Sequence, residues 1–333
     1  MDRSEWLRVG AVGAAAFLTG ACGSLYAANT WRKPNIEYHQ VGTLSNLLIY
    51  PIKSCRPIRV DEAECTQLGL KLGNATDRSF MLTDGKYHFI TGRKENRMVL
   101  VQPTLKNDTL LLDAPGMETF ELKIPEPKQV ARNAIQGQQT AVFDQKTFGV
   151  DCGDQVGAWF GRFLERAEHS TRLLYHPWDE SVRHFPYWHF WERYREDDRS
   201  KFADLNAFMA LSEGSLNDLN ERLGQQFSFL NFRPNFTVRG PYPYEEDAWK
   251  YLKIGETSFR CTRPCTRCVF TTIDPETGIK GDEPLKTLRR YRRHPDPRVR
   301  KREGDAPMFG THLGLNSTSG SVIRVGDPVL ASY

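Results

Sequence analysis

A chain of 333 residues, 39% hydrophobic and 26% charged, is long enough for about two domains and too apolar to be disordered. Lys+Arg at 45 against Asp+Glu at 41 leaves a net charge of +4, too mild a balance to argue for nucleic-acid binding. Seven cysteines are too few for a disulfide scaffold, and the composition excludes collagen-like, low-complexity and multi-span membrane classes.

From Val9 to Ala28 no residue is charged, a stretch of about the length that a membrane-spanning helix needs. A cleaved signal peptide ending near Ala27 and a lipoprotein signal ending at Cys22 are the competing readings. We read residues 9–28 as an anchor, because Trp31, Arg32 and Lys33 follow as an interfacial aromatic and basic stop. Arg3 and Arg8 are offset by Asp2 and Glu5, so charge does not fix its orientation.

Beyond the anchor, Val41 to Ile52 predicts a strand. Phe80 to Leu82, Tyr87 to Thr91, Met98 to Gln102 and Thr109 to Leu112 predict more, separated by turn signals such as Thr83-Asp84-Gly85 and Lys106-Asn107-Asp108. Thr119 to Ile124 alternates, with Phe120, Leu122 and Ile124 on one face. Together these form a barrel-like all-β stretch of about 90 residues. A helix is expected over Asp154 to Ala167, with Val156, Trp159, Phe160, Phe163 and Leu164 on one face. A second is expected over Ser215 to Leu223, opened by Ser212 and Glu213. Strand signals resume at Asn235 to Val238, Val269 to Ile273 and Val322 to Leu330. The aromatic cluster Phe185, Tyr187, Trp188, Phe190, Trp191 and Tyr194 reads as core or interface packing. Lys286 to Arg302 holds nine Lys/Arg against Asp296, either a solvated face or a docking patch for an acidic protein.

Three readings fit Cys261, Cys265 and Cys268. The spacing matches an iron–sulfur ligand set, although too little chain follows for the barrel that such a motif opens. A structural zinc would draw a fourth ligand from His294 or His312. The third reading uses one thiolate: Arg267 beside Cys268 and Arg263 nearby favour the deprotonated sulfur that binds soft metals.

The run from Cys265 to Gly278, Cys-Thr-Arg-Cys-Val-Phe-Thr-Thr-Ile-Asp-Pro-Glu-Thr-Gly, resembles the MOSC-domain molybdenum enzymes, most closely the mitochondrial amidoxime-reducing components. Tyr50-Pro51-Ile52-Lys53-Ser54, Asp77-Arg78, Asn231-Phe232-Arg233-Pro234-Asn235 and Val325-Gly326-Asp327-Pro328-Val329 match further motifs in order, from about residue 40 to 331. The resemblance implies a β-rich α+β fold. After the anchor segment 1–35 it places a MOSC N-terminal β-barrel-like domain with a helix at 36–175. A MOSC β-barrel domain with connecting helices follows at 176–332.

It also implies a mononuclear molybdenum held by molybdopterin and one protein thiolate, which the match assigns to Cys268. Lys53, Arg78, Arg233 and Arg267 match cofactor contacts, since guanidinium forks bind phosphate bidentately. Ser54 and Thr266 match hydrogen-bonding positions. Where relatives carry hydroxyl residues this chain reads Asp204-Leu205-Asn206, so Asn206 would donate through its amide. Where a Tyr is common it has His312, as a lining group, a proton carrier or a packed histidine. The implied reaction is reduction of N-hydroxylated compounds (amidoximes, hydroxylamines, with nitrite open) to amine plus water. No G-x-G-x-x-G or haem-attachment motif is present, so electrons must come from another protein. The resemblance names cytochrome b5 and an NADH-dependent cytochrome b5 reductase, at the mitochondrial outer membrane with the catalytic part cytosolic. The rival function is a molybdenum-cofactor carrier or a sulfur-transfer and maturation module.

Overall fold

Seven strands close into a barrel: β1 (His39–Ile49), β2 (Phe208–Ser212), β3 (Phe236–Arg239), β4 (Tyr251–Ile254), β5 (Thr257–Thr266), β6 (Met308–Leu315) and β7 (Pro328–Ser332). The computed structural model describes residues 36–125, 137–167, 169–183, 191, 193–304 and 306–333. The anchor at residues 9–28 lies outside these, as do Phe185, Tyr187, Trp188 and Phe190 of the aromatic cluster. Among the described residues no helix is long and apolar enough to cross a membrane.

Around the barrel the order is β1-β3-β2-β6-β5-β4-β7 and back to β1. Every pair is antiparallel except β2 with β3. β1 pairs with β7 through its first half and with β3 through its middle, and bends at two register shifts. Gly42 lies in the first of them, where a Cβ would stand 2.1 Å from the Arg239 carbonyl oxygen. Leu44, Leu47, Phe208, Phe236, Phe259 and Leu313 fill the interior. Each such side chain adds about 1.5–3 kcal/mol on burial.

Ile58–Val60 pairs with the end of β1, and the other strands form three small sheets. One joins Phe80–Asp84 to Thr171–Tyr175, Gln145–Asp151 and Gln138–Val142. Another is the meander Gln102–Lys106, Thr109–Asp113 and Phe120–Lys123. Helix α1 (Asp154–Phe163) buries Val156, Trp159, Phe160 and Phe163 in a second core with Phe80, Leu82, Leu110 and Leu173. α2 (Glu213–Leu223) is capped by Ser212, whose hydroxyl accepts from the Ser215 amide at 3.0 Å. The alternation expected at Thr119 to Ile124 is present: Leu122 and Ile124 point inward and Glu121 and Lys123 outward.

Three expected strands are not strands. Met98 to Gln102 begins as a 3-10 turn over Asn96–Leu100, since consecutive Met98 and Val99 are both buried and leave no alternating outer face. Tyr87 to Thr91 is irregular, bridged only at Phe89 to Thr83, because the Asp84 carboxylate accepts from the Lys86 and His88 amides and Tyr87 is left-handed. Val269 to Ile273 is a 3-10 turn, Val269–Thr272, in which the Thr271 and Thr272 hydroxyls donate back to the carbonyls of Cys268 and Val269. The basic segment forms two short helices, α3 (Leu285–Tyr291) and α4 (Pro297–Glu303).

Candidate functional site

All nine residues singled out in the sequence line one cavity of about 480 Å³. Lys53 and Ser54 come from the turn after β1, Arg78 from the turn before Phe80–Asp84, and Asn206 from the entry to β2. Arg233 enters from the turn before β3, Thr266 from the end of β5, Arg267 and Cys268 from just beyond it, and His312 from β6.

Ser54, Arg78 and Arg233 are all left-handed, at φ of 73°, 47° and 56°. Non-glycine residues pay for that conformation, and it persists where neighbours over-determine it. Here they do. The Arg78 amide donates to the Tyr50 carbonyl at 2.6 Å and the Arg233 amide to Phe229 at 3.0 Å. Arg78 pairs with buried Asp77 and reaches the Arg233 carbonyl at 3.1 Å. Arg233 reaches the Cys55 carbonyl at 2.7 Å. The two guanidinium groups lie against the Tyr50 ring, 4.2 and 4.3 Å from its centroid. Burial pulls Arg233 down to about 10, still cationic at neutral pH. Burial also pulls Lys53 down to about 8, with Asp204 opposing the shift. The Lys53 ammonium donates to the Phe202 carbonyl at 2.7 Å and pairs with Asp204.

The three cysteines of the spacing argument part company. Cys261 is buried in the barrel core, while Cys265 packs with Met209, Phe232 and Phe309. Burial raises both thiols, Cys261 to about 12. Cys268 stands two residues beyond the end of β5 and is half-buried, and both it and the buried Cys265 line the cavity. Among the described residues no three His, Cys, Asp or Glu stand together to hold a metal, so the iron–sulfur and zinc readings have no site.

Arg267 couples electrostatically to Cys265 and Cys268, but its hydrogen bonds go elsewhere. Arg267 spends its guanidinium on backbone, donating to the Phe309 carbonyl at 2.7 Å and the Phe232 carbonyl at 2.8 Å. The guanidinium that meets the Cys268 sulfur is that of Arg93, at 3.3 Å. His312 lines the cavity, and burial first, then Arg263 and Arg267, hold its pKa near 3, so the ring is uncharged at physiological pH.

Sequence reasoning passed over Arg93, Asp204 as a charge partner, Asn235 and the aromatic lining of Phe89, Phe143 and Phe270. Asn235 stood inside a motif already quoted. Arg93 gave no signal, being 175 residues from Cys268 in the chain. Arg183 is another organiser: fully buried, it donates to the carbonyls of Lys201 at 2.9 Å and Asp204 at 3.2 Å, fixing the loop that carries Asp204 and Asn206.

The lining therefore offers one accessible thiol, a cationic cradle and orphaned polar atoms. Both amide atoms of Asn206 and Nδ1 of His312 are buried without a hydrogen-bond partner. A buried unpaired polar atom costs about 1–3 kcal/mol, so these atoms favour a polar occupant.

Residues 41–167 match the MOSC N-terminal beta barrel domain and residues 197–330 the MOSC domain. The chain is 39% identical over 328 residues to mitochondrial amidoxime reducing component 2 of Rattus norvegicus, covering 98% of this chain and 93% of that protein. It is 37% identical over 329 residues to mitochondrial amidoxime-reducing component 1 of Homo sapiens, covering 98% and 94%. Against the Mus musculus component 1 the identity is 38% over 331 residues, covering 98% and 92%.

Proposed function

The chain belongs to the family of MOSC-domain proteins that includes the mitochondrial amidoxime-reducing components, and from that premise we propose that it is a molybdenum-cofactor-dependent reductase of N-hydroxylated compounds. The observation that carries the proposal is the convergence of the nine residues on one cavity with Cys268 as its accessible thiol.

The lining fits the cofactor. A lone thiolate suits a soft metal that takes its other sulfur donors from a dithiolene. Arg78 and Arg233 present forked donors for a phosphate, and Lys53 adds a point charge. The orphaned Asn206 amide can both donate to and accept from a pterin ring. Ser54 and Thr266 add hydroxyls beside these groups. When bound, the group supplies the two-electron chemistry by which an N-hydroxyl plus two protons and two electrons becomes an amine and water.

The protein's part is binding, charge and access. Phe89, Phe143 and Phe270 give the cavity an apolar wall for the carbon frame of a substrate. Neutral His312 offers a polar ring edge to the cavity.

Electrons would come from cytochrome b5 and its NADH-dependent reductase, docking by charge on α3 and α4. We place the protein at the mitochondrial outer membrane, anchored through residues 9–28 with its catalytic part in the cytosol. Protease treatment of intact mitochondria should digest that part.

The deciding experiment is metal analysis of the purified protein together with NADH-driven turnover of an aromatic amidoxime in the presence of both donors. Stoichiometric molybdenum and turnover are expected. Molybdenum without turnover would favour the carrier or maturation module, and zinc or iron in its place would end the proposal.

A further inference from the structure

Arg93 is held in place more firmly than a surface arginine needs to be. Its amide donates to the Thr91 hydroxyl at 3.2 Å, and the Lys94 and Glu95 amides donate to the Thr91 carbonyl at 2.9 and 3.0 Å. Gly92 ties this turn to the cavity floor, donating to the Ser54 hydroxyl at 3.2 Å. A Cβ on Gly92 would stand 2.6 Å from the Phe270 ring and 2.8 Å from the Ser54 Cβ, so only glycine brings the turn this close. Glu95 pins the far side through Arg166 of the segment after α1, at 2.6 Å.

From that base the guanidinium spans two acceptors. Its Nε donates to the Cys268 sulfur at 3.3 Å and its Nη2 to the Asp204 carboxylate at 2.8 Å. Its plane lies against Phe143, 4.8 Å from the ring centroid. Asp204 is fixed in turn by Lys53 and, through its backbone carbonyl, by Arg183. A continuous polar chain thus runs from the cavity thiol through Arg93 and Asp204 to Lys53 and the Phe202 carbonyl.

We propose that Arg93 is a positioning residue for the Cys268 sulfur, aiming it into the cavity by a bridge to Asp204. Residues that ligate metals are oriented by hydrogen-bond partners behind them, and losing such a partner costs about 10- to 100-fold in metal affinity or activity. Only a planar fork can hold both acceptors at once, so lysine is a poor substitute. The proposal deepens the reductase reading and rests on it for the metal alone.

The test compares the full chain with Arg93→Gln, Arg93→Lys and Asp204→Asn. Loaded proteins are measured for molybdenum content, for the electron paramagnetic resonance spectrum of the half-reduced metal, and for turnover with a small artificial reductant. Cofactor-free proteins are treated with iodoacetamide, and alkylation of Cys268 is followed by peptide mass spectrometry.

In Arg93→Gln molybdenum content should be retained, the spectrum should shift, and kcat should fall about 10- to 100-fold with KM little changed. Arg93→Lys should recover little of this loss, and Asp204→Asn should give a weaker version of it. The alkylation rate of Cys268 should change about threefold or more in Arg93→Gln. An unchanged spectrum, kcat and alkylation rate would overturn the proposal. So would loss of molybdenum from Arg93→Gln and Arg93→Lys alike, since Arg93 would then hold the cofactor rather than aim the sulfur. If the parent protein carries no molybdenum the reductase reading fails, while the alkylation comparison still decides the role of Arg93.

Discussion

Two regions of this molecule are rich in arginine and use it in opposite ways. In the cavity, Arg78, Arg233 and Arg267 are locked onto carbonyl oxygens, a carboxylate or an aromatic face. On α3 and its approach, Lys286, Arg289 and Arg290 stand exposed and make no ion pair among the described residues. Arg292 belongs to the same run of sequence yet behaves like the first group. It is buried, donates to the Met308 carbonyl at 3.1 Å and pairs with Asp247 at 2.6 Å. The expectation that all nine basic residues form one patch is therefore corrected. The comparison shows that a guanidinium acts through what fixes it: held rigid it recognises a ligand, and left free it sets a surface potential.

The largest effects should come from the cavity. Cys268→Ser should reduce turnover to background, while Cys265→Ala, a buried thiol change, should keep much of it. Assays of both variants beside their molybdenum content check this, and the reverse pattern would break the assignment. Arg233→Ala should weaken cofactor binding by about 10- to 100-fold with the circular dichroism spectrum intact. Full cofactor retention would place Arg233 among structural arginines instead.

Arg292→Ala sharpens the contrast inside the basic run. It should cost about 1.5–3 kcal/mol in urea unfolding, the value of a hydrogen-bonded charge, against about 0.5 kcal/mol or less for Arg289→Ala. Reversing Arg289, Arg290 and Arg293 to Glu should slow turnover driven by cytochrome b5 and flatten its salt dependence. Turnover with a small reductant should stay near normal, and an equal fall with both electron sources would show that the segment supports the fold.

A separate effect is set by pH. Burial holds His176 and His312 near pH 3, below the ordinary 6.5. The unfolded chain therefore takes up protons first as pH falls through 6.5, so stability is full above that point and declines toward pH 3. His312→Gln should make this decline shallower in urea titrations from pH 7 to 4. It should leave the shape of the activity profile between pH 5 and 8 unchanged.

Local signals in the sequence carried far. The alternation at Phe120, Leu122 and Ile124 and the apolar stripe of α1 reported their elements, because each faces a core on one side. The Ser212 cap reported the start of α2. Met98-Val99 and Val269-Phe270 misled, since short apolar runs look alike whether they enter a strand or a tight turn. The left-handed backbone at Arg78 and Arg233 was invisible, because tertiary contacts impose it on a residue type that does not advertise it. The motif around Cys268 was legible. Its partner Arg93 was not, since only the folded chain brings the two together.

The barrel's seam has a consequence for how the molecule is made. β1 lies between β7 and β3, so the strand that leaves the ribosome first must wait for strands that emerge late. Until then its own hydrogen-bonding edges toward them stay open, the condition under which slow, non-local β structure aggregates. A ribosome stalled before β7 should therefore hold a nascent chain that chaperones bind and proteases cut, and release of the last strand should end both.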